Sequence, residues 1–208
     1  TDAVEQTQLI RRILSHQPDN SVVYITIGHT KGLYDLLASE SDTISSLSGM
    51  ELAKKKIKKW VALGALKAAN KDRHYVKDWN FFFNGTAEYT KFLVEHFSKP
   101  VYFVDAGADI MTGKSLTDTP NGNIVRTAYR DWLCNVEKKL LNDQRPSWDL
   151  MTVYFAIEEP KKHFDMLGHG SLEFNPEKGC RWHTTDEASN QYFVRQKDGY
   201  KNEIEDYL

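Results

Sequence analysis

Residues 21–28 read SVVYITIG, and from Val22 to Ile27 the chain is mostly β-branched or aromatic before it closes on Gly28. A run of that kind without polar alternation is the pattern of a strand buried on both faces, as in a parallel sheet, rather than of an edge strand with one wet side. Two further runs repeat it, WVALG at 60–64 and PVYFVDAG at 100–107. Helical patterns separate the three. TKGLYDLLASE packs through Leu33, Leu36 and Leu37. In SLSGMELAKKKIKKW, Ser48 and Glu51 form a capping box, and Met50, Ala53, Ile57 and Trp60 share a stripe. A third helix is expected over 87–97. Strand–helix alternation of this kind indicates an α/β fold: an open, mainly parallel sheet flanked by helices.

Working outward, the chain opens on a helical pattern with Leu9, Ile10, Ile13 and Leu14 on one face, ending near His16 before Pro18. Residues 121–158 read as helical with an interruption at NDQRPSWD. EFNPEKGCRWHTTDEASNQYFV carries turn signals between short aromatic strands and reads as a small C-terminal β excursion, and DGYKNEIEDYL closes as a helix. The 208 residues fit one domain, 1–208. Because the sequence begins inside an element and without Met, it reads as part of something longer, which leaves the compartment undetermined.

Hydrophobic residues at 40%, charged residues at 27% and a net charge of −2 describe an ordinary globular composition with no electrostatic footprint for nucleic acid. The lysines of KKKIKK read as a solvated helix face. Cys134 and Cys180 have neither metal-ligand spacing nor a disulfide framework and suit small apolar sites. No apolar run approaches the roughly 20 residues of a membrane-spanning helix. Asn84-Gly85-Thr86 matches a glycosylation sequon, but a turn into the next helix accounts for it.

Ligands of open α/β sheets sit beyond the carboxyl ends of the strands. The segment leaving the second strand contains KDWNFFFNGTAEYTKFLVEHF (77–97), where Asp78 and Asn80 stand among aromatic rings. In an extended chain these two side chains would share one side, opposite Trp79 and Phe81. A carboxylate and an amide in apolar surroundings are costly unless something binds them. They suit a ligand, but from the residues alone a loop that caps the following turn is the better reading.

The order DNSVVYITIG, DTISSLSGMELAKKKIKKWVALGA, DWNFFFNGTAEYTKFLVEHFSKPVYFVDAGADIMTG and PSWDLMTVYFAI resembles the inosine–uridine-preferring nucleoside hydrolases, in particular their bacterial branch with a Ser-Trp-Asp motif. The resemblance runs from about residue 3 to the end. It implies a Rossmann-like open sheet with a pocket holding Ca²⁺, in which water attacks the ribose anomeric carbon and releases a free base. Asp149 matches the late aspartate ligand to calcium, and Ile27 matches the position that offers the metal a backbone carbonyl. Asn80 matches the asparagine that hydrogen-bonds ribose. Asp78 stands where an acidic residue grasps the sugar hydroxyls, and Trp148 where a catalytic aromatic or histidine flanks the departing base. Such a transition state carries oxocarbenium character, which carboxylates and a metal-oriented water would serve. Each residue also has a structural reading: Asp149 or Ser147 as a helix N-cap, Trp148 as core, the Ile27 carbonyl as sheet pairing.

The sequence departs from the family in several places. The Asp-x-Asp-x-x-x-Asp-Asp motif that supplies most calcium ligands and the catalytic base does not occur. LGA stands for Met-Gly-Gly, Lys31-Gly32 for Thr-Asn, and Asp78 for the usual Glu. Calcium takes six to eight oxygens, more than Asp149 and one carbonyl provide. The resemblance therefore implies a later portion of such an enzyme, inactive alone, whose partners are a nucleoside or related glycoside, the missing N-terminal portion or a second chain supplying it, and other copies in a homo-oligomer. The alternative is a catalytically silent sugar- or nucleoside-binding protein of the same descent.

Overall fold

The computed structural model describes residues 3–159, 161–185 and 187–208. Helix α1 (Gln6–His16) is capped by the Glu5 carboxylate, which accepts from the amides of Thr7 and Gln8. Strand β1 (Val22–Thr26) and helix α2 (Lys31–Ala38) follow. Helix α3 (Gly49–Lys56) starts at the expected capping box, with Ser48 and Glu51 exchanging hydrogen bonds, and runs straight into β2 (Ile57–Leu63). The expected stripe is thus split between two elements. Ile57 and Trp60 are buried as strand residues, and the lysine run divides into a wet helix end and the start of a central strand.

The short turn α4 (Trp79–Phe82) and helix α5 (Ala87–His96) lead to β3 (Val101–Asp105). Between α4 and α5, Asn84 and Gly85 both take positive φ, 58° and 77°, which forms the expected turn. A two-residue strand β4 (Met111–Thr112) precedes α6 (Ile124–Asp131), a π-helical turn at Trp132–Glu137, β5 (Arg145–Pro146) and α7 (Trp148–Glu158). The chain ends through β6 (Phe164–Asn175), β7 (Gly179–Thr184), β8 (Gln191–Gln196) and α8 (Lys201–Tyr207).

Among the described residues the large sheet has the order β1-β2-β3-β8-β6-β7, and β4 pairs with β5 apart from it. Strands β1, β2, β3 and β8 are parallel; β6 runs antiparallel to both β8 and β7. The C-terminal excursion expected from the turn signals is therefore built into the main sheet, with the last strand, β8, inserted between β3 and β6.

Alternating side chains divide the core between the two faces. Val22, Tyr24, Trp60, Ala62, Phe103 and Phe193 join Leu14, Leu36, Leu52, Phe81 and Leu93 from α1–α5. Val23, Ile25, Val61, Val104 and Val194 join Met151, Tyr154 and Phe155 of α7 and Ile204 of α8. Each large side chain fully buried here contributes about 1.5–3 kcal/mol of transfer free energy. The α1 face is covered only in part: Leu14 is buried while Leu9 and Ile13 stay exposed. Arg11 is buried there instead, bonded to Asp42, the Ser39 hydroxyl and the carbonyls of Ser45 and Leu47, and holds the 39–47 loop against α1. Cys180 is buried as expected, whereas Cys134 is exposed.

The burial of Lys59 leads to a prediction. Its side chain is 6% exposed, pairs with Glu159, and lies 5.7 Å and 5.9 Å from the ring centres of Tyr102 and Phe155. Glu159 is 54% exposed, so its own desolvation is slight and the lysine bears most of the cost of the pair. Glu159→Gln strands the ammonium and should destabilise by about 1–2 kcal/mol, discounted for the solvent that still reaches the site. Lys59→Met keeps the packing without the charge and should be neutral or stabilising. Urea denaturation of the two variants tests this, and an equal loss in both would refute it.

Candidate functional site

The carboxyl ends of β1, β2 and β3 lie side by side, where an open parallel sheet leaves its crevice. Asp78 sits at the β2 end as a buried N-cap. Its Oδ1 accepts from the amides of Asn80 (2.9 Å) and Phe81 (3.1 Å), and Oδ2 accepts from Leu66 (3.3 Å). That capping turns 78–82 into a helical turn, so the two-residue alternation expected of an extended segment does not hold. Burial raises the Asp78 pKa, opposed by the three amides and reinforced by the charge of Asp105.

Asn80 is half-buried and donates from Nδ2 to the Leu63 carbonyl at 3.1 Å, anchoring α4 to the last residue of β2. Among the described residues no hydrogen bond reaches its side-chain oxygen, which leaves an acceptor at the strand end. Asp105, the last residue of β3, accepts from the Lys67 amide at 2.9 Å. Burial raises its pKa, and the Lys67 amide and the Arg195 guanidinium oppose the shift. Arg195 faces Asp105 in register on β8 and donates to the Ala69 carbonyl at 2.6 Å. The loop that serves both carboxylates is strained: Ala65 and Lys67 hold φ of 58° and 64°.

Ile27 is exposed immediately beyond β1. The loop it begins reaches the α4–α5 turn, where His29 Nε2 lies 3.3 Å from Asn84 Nδ2, and helix α5, where the hydroxyls of Thr30 and Thr90 meet at 2.9 Å. Trp148 and Asp149 open α7 beyond the end of β3. The Ser147 amide donates to the carbonyls of Gly107 (3.0 Å) and Ile110 (2.9 Å), and its hydroxyl meets that of Thr112 at 2.7 Å. Trp148 is half-buried. Asp149 is an exposed residue on the rim of a cleft of about 150 Å³ lined also by Thr112, Tyr129, Arg145, Ser147 and Leu150. Packing around its carboxyl raises the pKa, and Arg145 pulls the other way.

All five residues singled out in the sequence therefore lie at one end of the sheet. Asp78 and Asn80 share one cluster; Asp149 and Trp148 stand on another lip, and neither Asp78 nor Asn80 lines the Asp149 cleft. Asp105 joins the first cluster and Tyr129 and Arg145 the second, although the sequence reading did not single them out. A carboxylate closing a buried strand just before glycine was a usable signal for Asp105.

Among the described residues no group of three His, Cys, Asp or Glu side chains is arranged to hold a metal ion. The Asp149 carboxylate and the Ile27 carbonyl fall short of the six to eight oxygens of calcium. This chain alone does not fit the ion.

No protein-family model matches the sequence, and no curated protein matches it. Among solved structures, a plant nucleoside hydrolase matches with a TM-score of 0.60 at 11% identity, over 99% of this chain. The fold is nucleoside hydrolase-like. The chain spans 65% of the length of that structure. An identity this low speaks for the path of the backbone and leaves the chemistry to be argued from the residues.

Proposed function

We propose that the chain belongs to a nucleoside N-ribohydrolase related to the bacterial Ser-Trp-Asp branch and forms the later part of its active site. The observation that supports this is the Asp78–Asn80–Asp105 cluster at adjoining strand ends of a nucleoside hydrolase-like sheet. Asn80 offers its free side-chain oxygen to a ribose hydroxyl. Asp78, nearly inaccessible and bonded to three amides, holds Asn80 in place more than it grasps sugar itself. Trp148 flanks the departing base. Asp149 and the Ile27 carbonyl would supply two oxygens to a calcium shell whose other ligands come from polypeptide outside these residues.

The test is release of reducing sugar from inosine and uridine with added Ca²⁺. The 208-residue chain by itself should show no turnover. The gene product at its natural length should hydrolyse one of the two nucleosides. Asn80→Ala should lower its kcat/KM by about 10²-fold, for the loss of an oriented hydroxyl contact. Absence of hydrolysis by the natural-length product would reject the reading. The incomplete oxygen set favours a second reading, a catalytically silent binder. Calorimetric binding of ribose or inosine by a natural-length product that turns over neither nucleoside would establish it.

A further inference from the structure

The outer groove between α2 and α5 carries more chemistry than helix packing needs. It encloses about 290 Å³ and is lined by Tyr34 of α2 and by Glu88, Tyr89, Lys91, Phe92 and Glu95 of α5. The three rings lean on one another: Tyr34 and Tyr89 have their centres 4.7 Å apart at a tilt of 40°, and Phe92 meets Tyr34 edge-on at 5.2 Å. Tyr34 and Phe92 also pack against the core beneath, which gives their rings a structural role.

The polar groups are less accounted for. Among the described residues no hydrogen bond reaches the hydroxyl of Tyr34 or of Tyr89. Glu88 suits the first turn of α5, but its carboxylate has neither a hydrogen bond nor an ion pair among those residues. Lys91 cannot serve it, because both oxygens of Glu95 already take the Lys91 ammonium, at 2.7 and 2.8 Å. One negative charge is therefore left over in a groove walled by aromatic rings.

Charge decides what such a groove suits. The face of an aromatic ring is electron-rich and attracts cations, most strongly where a carboxylate stands beside it. The chain makes that arrangement itself on the rim: Lys31 Nζ lies 5.6 Å from the Tyr89 ring centre while bonded to Asp35 at 2.5 Å. Lys31 does not line the groove, so the interior is open to a second cation. A phosphate or carboxylate ligand would meet two glutamates, with the lining lysine already paired. A neutral sugar could hydrogen-bond Glu88 and the phenols but would draw nothing from the surplus charge. An ammonium ion bearing alkyl groups gains from both, because its charge is spread over apolar groups that give up little hydration on meeting a ring.

We infer that the α2–α5 groove binds a small alkylated ammonium ion, held by the rings of Tyr34 and Tyr89 with Glu88 as its counter-ion. None of Asp78, Asn80, Trp148 and Asp149 lines this groove, and the inference stands apart from the proposed reaction.

Choline and the neutral alcohol in which a carbon replaces its nitrogen are the probes, titrated calorimetrically into the natural-length gene product. Choline should bind at least about tenfold more tightly than the alcohol. Glu88→Gln should weaken choline about fivefold, for the loss of a counter-ion near solvent. Tyr89→Leu should weaken it about tenfold. Glu88 is exposed, so its variant keeps the fold and decides the matter even where Tyr89→Leu does not fold. Equal affinity for choline and the alcohol, no choline binding in the millimolar range, or a choline affinity unchanged in Glu88→Gln would each overturn the inference. Ribose that binds more tightly than choline and is lost in Glu88→Gln would make the groove a sugar site and overturn it as well. None of these measurements depends on turnover, so a failure here and a failure of the nucleoside assay are separate results.

Discussion

Asp78→Ala should unfold about 3 kcal/mol more easily than the parent chain, because it removes a helix cap and leaves three amides in a buried corner without an acceptor. Those are the amides of Leu66, Asn80 and Phe81. Asp78→Asn keeps an oxygen for Asn80 and Phe81, gives up only the longer bond from Leu66 and discards the buried charge, so its loss at neutral pH should be much smaller. The pH dependence separates the two effects. Burial raises the folded pKa of Asp78 above its unfolded value near 4, so the folded state binds more protons over the window between the two. The stability this carboxyl contributes is full below about pH 4 and is lost as pH rises through the raised folded value. Asp105 acts with the same sign. Asp42, Glu137 and Glu173, held down at about 2, act with the opposite sign between that value and their unfolded values near 4, so their contribution levels off above about pH 5. Unfolding free energies from about pH 5 upward should fall in the parent and fall less in Asp78→Asn. Superimposable slopes would contradict the assignment.

Gly107→Ala should be equally damaging, for a different reason. Gly107 has φ of +94°, and a Cβ there would lie 2.7 Å from the Ser147 carbonyl oxygen and from the Trp148 Cα, both backbone atoms that cannot swing aside. Backbone strain and overpacking together should cost roughly 3 kcal/mol. The displaced atoms are the start of α7, so Trp148 and Asp149 should move with them and the near-ultraviolet dichroism of the tryptophans should change. Gly85→Ala is the control: its φ is also positive, at +77°, but nothing lies within 4 Å of the added Cβ. It should cost about 1 kcal/mol and leave the spectrum alone. Similar losses in the two variants would refute the close approach.

The parallel strands were legible because β1, β2 and β3 are sandwiched between helix layers and so lose polar alternation. The capping box and the Asn84-Gly85 turn were legible because each is satisfied within four residues. What escaped the sequence depended on distant partners. Lys59 reads as a wet lysine until Glu159, Tyr102 and Phe155 close around it. Asp105 reads as a strand terminus until the strained 65–67 loop brings the Lys67 amide to it. Asp78 and Asn80 were found as a pair, but that the first is a cap and the second the open group follows from backbone geometry that spacing does not encode.

The insertion of β8 between β3 and β6 constrains how the protein can be made. During synthesis β3 and the β6–β7 hairpin leave the ribosome before their common neighbour exists, and the gap between them closes only after Gln196 has emerged. Until then β3, and β6 along the side away from β7, present unpaired edges, and the central packing of Phe193 and Val194 is missing. The nascent chain therefore stays incomplete and adhesive until β8 has emerged, and a ribosome stalled before that strand would hold a client for chaperones rather than a folding intermediate.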